Sequence, residues 1–201
     1  MSSSSRFGLL LGSAFLMLSM VPAHAAETYK LDPNHTAITW HISHFGFSNP
    51  SGKFMNVDGT LVLDEANPAA SAAQAVIKAA SLATRTEQRE AHLKSSDFLE
   101  VEKYPELRFV STKVEPLGGD RYRVTGDLTI RDVTKPVVLD VTHEGQSKDP
   151  WGGERMGFSA TTRIDRRDFG LVWNQSLETG GVLVSNDIRC NLEFELVKAK
   201  A

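Results

Sequence analysis

Cysteine is nearly missing from this 201-residue chain; Cys190 is the only one. One thiol makes no internal disulfide, so buried apolar surface has to hold the fold together. Concentrated positive charge is missing too. Lys and Arg total 22 against 25 Asp and Glu, a formal net charge of −3 with no basic cluster. That excludes nucleic acid as a natural partner and strong electrostatic attachment to anionic membrane surfaces. Beyond residue 25 no run approaches the roughly 18 apolar residues of a membrane-spanning helix. Signature catalytic spacings are also lacking: there is no Gly-x-Ser-x-Gly elbow, no Cys-x-x-Cys and no His-Glu-x-x-His.

Residues 1–25 read as a cleaved export signal. A short start with one positive charge, Arg6, precedes an apolar run from Phe7 to Val21. Pro22 and the small-x-small site Ala23-His24-Ala25 follow. The expected domain is residues 26–201, in one piece, without repeats or linkers.

Alternation dominates that domain. Ile38, Trp40, Ile42 and His44 share one face of a strand over residues 36–44. Ile188, Cys190, Leu192, Phe194 and Leu196 share one face of the last strand, with Arg189, Asn191, Glu193 and Glu195 opposite. In that register Cys190 is a small apolar residue rather than a reactive thiol. Further strands are expected over residues 53–64, 107–114, 121–131, 136–143 and 155–165. Residues 86–99 read as a short polar helix capped by Thr84 or Thr86, with Glu87 and Glu90 at its positive end. The alanine-rich residues 69–83 fit strand or helix equally. About eight strands with hairpin spacing and one helix favour an antiparallel sandwich or barrel. A closed barrel of eight is either filled by its own side chains or holds one ligand, and alternation does not separate the two.

The candidate chemistry is sparse. His41 and His44 are three apart on a strand and face opposite sides, so no metal site is expected. Ser95-Ser96-Asp97 beside His92 contains triad residue types, but the cluster is local and reads as helix and turn capping. The tract Asp165-Arg166-Arg167-Asp168 reads as surface pairs at a strand end, or as an arginine at a cavity mouth holding a polar headgroup.

Taken together, several spaced motifs resemble the YceI-like family. They are Leu31-Asp32-Pro33-Asn34-His35-Thr36 running into Ala37 to His44, Gly52-Lys53-Phe54, Ala80-Ser81-Leu82-Ala83-Thr84, and the helix from Arg89 to Phe98. Tyr104-Pro105, Phe109-Val110-Ser111, Gly126-Asp127-Leu128-Thr129-Ile130-Arg131, Val133-Thr134-Lys135-Pro136-Val137 and Arg167-Asp168-Phe169-Gly170 complete the set. The resemblance implies an all-β fold: a lipocalin-like antiparallel eight-stranded barrel with one short helical insertion and a long apolar cavity. It implies an exported, periplasmic binding protein for a polyisoprenoid or isoprenoid-quinone-like amphipathic lipid, with no cofactor and no established enzymatic activity. It also resolves the alanine-rich segment as a strand, over residues 74–82. Asp132 stands where the family usually has a turn glycine, a place where Asp tolerates a left-handed conformation.

On this reading Ile38, Trp40, Ile42, Phe54, Leu61, Leu63, Phe109, Leu128, Phe158, Phe169, Trp173 and Leu192 line the apolar cavity. Ile130 and Ile164 share the inward face. His44, Arg163 or Arg167 meets the headgroup. Transient contact with a membrane or a membrane protein is a further expectation. Two alternatives stand beside it. One is an enzyme acting on a lipid-like or quinone substrate through His35, His44 or His92. The other is a stress-related adaptor with a filled core.

Overall fold

A computed structural model describes residues 26–178 and 180–200. The expected export signal, residues 1–25, lies outside the described residues. Eleven strand segments and one α-helix follow one another: β1 (Glu27–Leu31), β2 (Ala37–His44), β3 (Ser51–Phe54), β4 (Val57–Leu63), β5 (Ala72–Lys78), β6 (Leu82–Ala83), α1 (Glu87–Lys94), β7 (Glu106–Gly118), β8 (Arg121–Ile130), β9 (Val133–Lys148), β10 (Glu154–Asp165) and β11 (Val184–Lys198). No described helix is long and apolar enough to cross a membrane.

The ring runs β1-β4-β5-β7-β8-β9-β10-β11, and β11 pairs back onto β1. Every pairing is antiparallel, so eight strands close a barrel and leave no long free edge in that ring. The remaining segments continue three of these strands. β11 offers its C-terminal half to β1, with Leu31 opposite Leu196, and its N-terminal half to β2, with Ile38 opposite Leu192. β1 and β2 are therefore one strand broken in the middle. The same holds for β3 with β4 and for β5 with β6, because β3 pairs with β2 and β6 with β3.

Local chemistry explains the first break. Pro33 has no N–H to give the ladder. Asp32 turns its carboxylate onto the Asn34 N–H at 3.0 Å, and Thr36 Oγ1 donates to the Asp32 carbonyl at 2.8 Å. A 3-10 turn over Pro33–His35 results. The third break is a 3-10 turn over Ala79–Ser81, after which β6 keeps only two residues. The stretch containing α1 then leads to β7. Its N-terminus is tied by Glu90, which accepts the Thr84 N–H at 2.6 Å. The helix ends at Lys94 with Ser95 as its C-cap, earlier than the expected residue 99, and Phe98 and Leu99 follow as buried anchors.

The alanine-rich segment is strand β5, held between β4 and β7. Pairing on both edges overrides alanine's helical preference. The strand occupies residues 72–78, ahead of the expected 74–82 at its start, and yields to the 3-10 turn at its end. The β8–β9 hairpin forms with Asp132 in its turn, but Arg131, at φ 58°, takes the left-handed conformation expected of Asp132. Arg131 is held there by Glu100 at 2.7 Å, while the Tyr104 hydroxyl donates to Asp132 at 3.2 Å. The hairpin is thereby fastened to the segment that follows α1.

Candidate functional site

The barrel is hollow. Its inward faces enclose a cavity of about 1010 Å³, at the top of the roughly 300–1,000 Å³ range of small-molecule pockets. The void accounts for an unusual burial pattern. Trp40, Phe54, Phe109, Leu128, Leu192 and Phe194 pack against the core yet are only half-buried, because their remaining surface faces the cavity. Two features of the sequence leave this space open. Inward positions of β5 and β11 carry small side chains, Ala75 and Cys190. Two large rings also lie along the wall instead of crossing the lumen. A Cβ on Gly52 would overlap the Trp40 indole, and one on Gly126 would overlap the Phe109 ring.

One end is closed. Tyr29, Met156 and Leu196 are buried there with Leu61, Leu63, Phe158 and Phe194 around them. The other end reaches solvent: Asn49, Thr86, Gln88 and Arg89 are exposed and also form part of the cavity wall. The mouth therefore lies between α1 and the turn of residues 45–50. Arg89, His92 and Leu93, at i, i+3 and i+4, share the face of α1 turned to the cavity.

Of the twelve apolar residues expected to line the cavity, Ile38, Trp40, Ile42, Phe54, Phe109, Leu128, Trp173 and Leu192 are on its wall, as are Ile130 and Ile164. Leu61, Leu63 and Phe158 are corrected: they belong to the closed floor, on the lower halves of their strands. Phe169 is corrected as well. It is fully buried in the wall, beneath the 3-10 turn over Arg166–Phe169. His44 is on the wall near the mouth. Arg163 and Arg167 are not: both are largely exposed, Arg163 facing Asp187 at 3.7 Å and Arg167 gripping Asp165 at 2.5 Å.

Besides Arg89 at the mouth, the cavity wall holds Arg166, which is 1% exposed. Its Nε donates to the Ser185 carbonyl at 3.0 Å, and Nη1 donates to the carbonyls of Leu171 and Trp173, the latter at 2.8 Å. Asn186 Oδ1 accepts from Nη2 at 3.4 Å. It forms no ion pair among the described residues, and burial pushes its pKa below the ordinary arginine value. Arg166 thus staples the chain of residues 171–174 to the start of β11 and leaves a desolvated cation beside the cavity. The sequence reading named Arg167 and Arg163 and passed over Arg166. The 3-10 turn decides which of Arg166 and Arg167 points inward. Arg89, Gln88 and Asn49 were also missed, since polar residues at a mouth carry no apolar periodicity.

His92 Nε2 meets the Asp97 carboxylate at 2.8 Å, and its ring packs edge-on against Phe98 and Trp173 at 5.0 and 4.7 Å. The serines nearest the two mouth histidines are engaged with backbone. Ser48 donates to the His44 carbonyl at 3.2 Å and Ser95 to the His92 carbonyl at 2.8 Å. Neither hydroxyl is aimed at an imidazole, as an activated nucleophile requires. Cys190 lies on the wall, and burial pushes its thiol up to about 11, which disfavours thiolate formation.

His35 is remote from the cavity. Asp32, His35 and Glu195 bring three potential metal-ligand atoms together, but a guanidinium already serves them. Arg155 donates to Asp32 at 2.8 Å and also to Glu195 and Asp149. The Arg155 hydrogen bond, followed by that of His35, lowers the Asp32 pKa to about 2.

The YceI-like domain pattern matches residues 29–196 of this chain. The chain belongs to the YceI-like family. This YceI-like protein is 48% identical over 165 residues to a UPF0312 protein of Pseudomonas putida strain W619, spanning 81% of this chain and 84% of that one. The Campylobacter jejuni YCEI protein superimposes with a TM-score of 0.68 at 33% identity, covering 79% of this chain and 90% of that chain. A polyisoprenoid binding domain from Saccharophagus degradans shares the fold, with a TM-score of 0.62 at 14% identity, over 85% of this chain and 98% of that one.

Proposed function

We propose that this YceI-like protein is a periplasmic carrier or storage protein that holds the tail of a polyisoprenoid or isoprenoid-quinone-like lipid inside the barrel. The observation that carries the reading is the cavity: about 1010 Å³, walled by aliphatic and aromatic side chains, closed at one end and open at the other. A water-insoluble chain gains about 0.8 kcal/mol for each methylene it buries there. The tail enters between α1 and residues 45–50 and lies along Trp40, Phe109, Leu128 and Leu192. The head stays near His44, Arg89 and His92, where the polar wall residues are. The Saccharophagus domain, described as polyisoprenoid-binding, has the same barrel and supports this choice of ligand class. The periplasmic location rests on the signal-like residues 1–25. A filled-core adaptor loses its premise, because the core is not filled.

The decisive experiment is native mass spectrometry of gently isolated protein before and after organic extraction. A stoichiometric lipid adduct that extraction removes and added isoprenoid restores is the expected result. A clean apo mass with no uptake of added isoprenoid refutes the carrier. Turnover of an isoprenoid or quinone that disappears in His92→Ala would instead establish the enzyme alternative.

A further inference from the structure

We propose that the open end of the barrel seats directly on a lipid bilayer, inserting an apolar rim built from two hydrogen-bonded turns. The inference rests on the carrier reading and adds the surface through which ligand is exchanged. The first turn is Phe45-Gly46-Phe47, between β2 and β3. Its two phenyl rings stack at 5.8 Å with an interplanar angle of 12°, and Phe47 is 82% exposed. Phe45 has φ 54°, a left-handed conformation that a bulky aromatic residue rarely adopts. Strain of this kind persists where the surroundings impose it, often at sites of function. The second turn is made of two stretches ahead of β11, residues 171–176 and 181–183, joined by a bridge between Ser176 and Val182 and by the Leu183 N–H donating to the Gln175 carbonyl at 2.8 Å; it exposes Val172 at 70% and Val182 at 46%. The Phe45 N–H donates to the Leu183 carbonyl at 2.9 Å, so the two turns form one surface.

That surface is continuous with the cavity. The Phe45 ring meets His44 edge-on at 4.5 Å, and His44, Trp173 and Leu183, neighbours of the exposed residues, are all on the cavity wall. Exposed apolar groups ringing the mouth of an apolar cavity shorten the path that a tail must cross through water. The arginines flanking these turns in the chain are engaged within the protein, Arg163 by Asp187, Arg167 by Asp165 and Arg189 by Asn49, and Arg89 of α1 adds a single exposed cation across the mouth, short of the basic cluster that attachment to anionic lipid needs. The rim therefore engages a membrane by insertion of apolar side chains and not by attraction to anionic headgroups. The opposite end supplies a control. Trp151 is 85% exposed there, on the turn between β9 and β10 and off the wall of the barrel cavity.

The test uses sucrose-loaded vesicles of phosphatidylethanolamine and phosphatidylglycerol, with the wild type, Phe47→Ser, Val172→Ser, their double variant, and Trp151→Ser. Neither Phe47 nor Val172 lines the cavity. Wild-type protein is expected to sediment with the vesicles at low and high salt alike. The double variant should lose about tenfold or more in partitioning, the share of a buried phenyl ring and an isopropyl group, and Trp151→Ser should match the wild type. Uptake of dansyl-tagged geranylgeraniol delivered from ethanol should be equal in all five proteins, whereas its transfer from vesicles should slow in the rim variants. No vesicle binding by the wild type, binding unchanged in the double variant, or binding abolished by salt would overturn the inference and leave the rim to a protein acceptor. Failure of the wild type to take up the tagged alcohol from ethanol would instead overturn the carrier reading, whatever the vesicles show.

Discussion

Leu192 and Leu196 lie on the same inward face of β11, four residues apart, but one faces a void and the other a packed floor. Glutamate at each position tests whether the lumen is a binding cavity. At Leu192 the carboxylate projects into space that water can enter from the mouth, so the protein should fold. A lipid tail can occupy that space only by stripping the water from the charge. The effective cost of desolvating a buried ion is several kcal/mol, taken here as roughly 5. That equals the burial of about six methylenes at ~0.8 kcal/mol each. It weakens binding by roughly a thousand- to ten-thousandfold, at about 1.4 kcal/mol per factor of ten. Leu196 is 6% exposed among Tyr29 and Met156. With no room for water, Leu196→Glu should not give a stable native state. Leu192→Met, which keeps the volume and the apolar surface, should bind as the wild type does. The assays are fluorescence titration with a tagged isoprenol, and circular dichroism with thermal melting to establish folding. A folded Leu192→Glu that binds within tenfold of the wild type would refute the cavity as the binding site, and equal stability of the two glutamate variants would refute the division into hollow and floor.

Three further predictions concern the frame. The Asp32 carboxyl is held at about 2 in the folded protein, below its ordinary value of 3.8. Its contribution to stability is therefore complete above about pH 4 and is lost as pH falls through about 2. Asp32→Asn should accordingly be less stable than the wild type at pH 5, with the gap in urea midpoint closing between pH 4 and 2; a gap that stays constant would contradict the assignment. Arg166→Met leaves the carbonyls of Leu171, Trp173 and Ser185 without their donor. At about 1–3 kcal/mol for each unsatisfied group, the variant should lose roughly 3 kcal/mol or more. Hydrogen exchange should quicken at residues 171–174 and 184–186, with Arg166→Lys in between; unchanged protection would show that the staple is dispensable. Cys190, pushed up to about 11 by burial, should react slowly with iodoacetamide at pH 8 when folded and quickly when denatured. Equal rates in the two states would place the thiol outside the wall.

Much of this protein follows from its sequence alone. The period-two pattern in β2 and β11 fixes which residues face inward, because successive side chains on a strand alternate between faces. The order and spacing of the motifs from Leu31 to Gly170 fix the family and thereby the closed barrel of eight antiparallel strands. Tertiary structure decided the rest. Leu61 and Leu192 have the same side chain on inward faces, yet only one meets the void, since depth along the barrel axis depends on where strands are broken and how they register with their neighbours. Whether the lumen is hollow depended on Ala75, Gly52 and Gly126 standing beside the Phe109 and Trp40 rings on neighbouring strands, a pairing that no single strand's pattern reports. The choice between Arg166 and Arg167 was made by one 3-10 turn, and the mouth by polar residues from two separate segments. Periodicity reports which face a residue takes within its own strand. Position along the axis, and what stands across the lumen, are set only when the strands close into a ring.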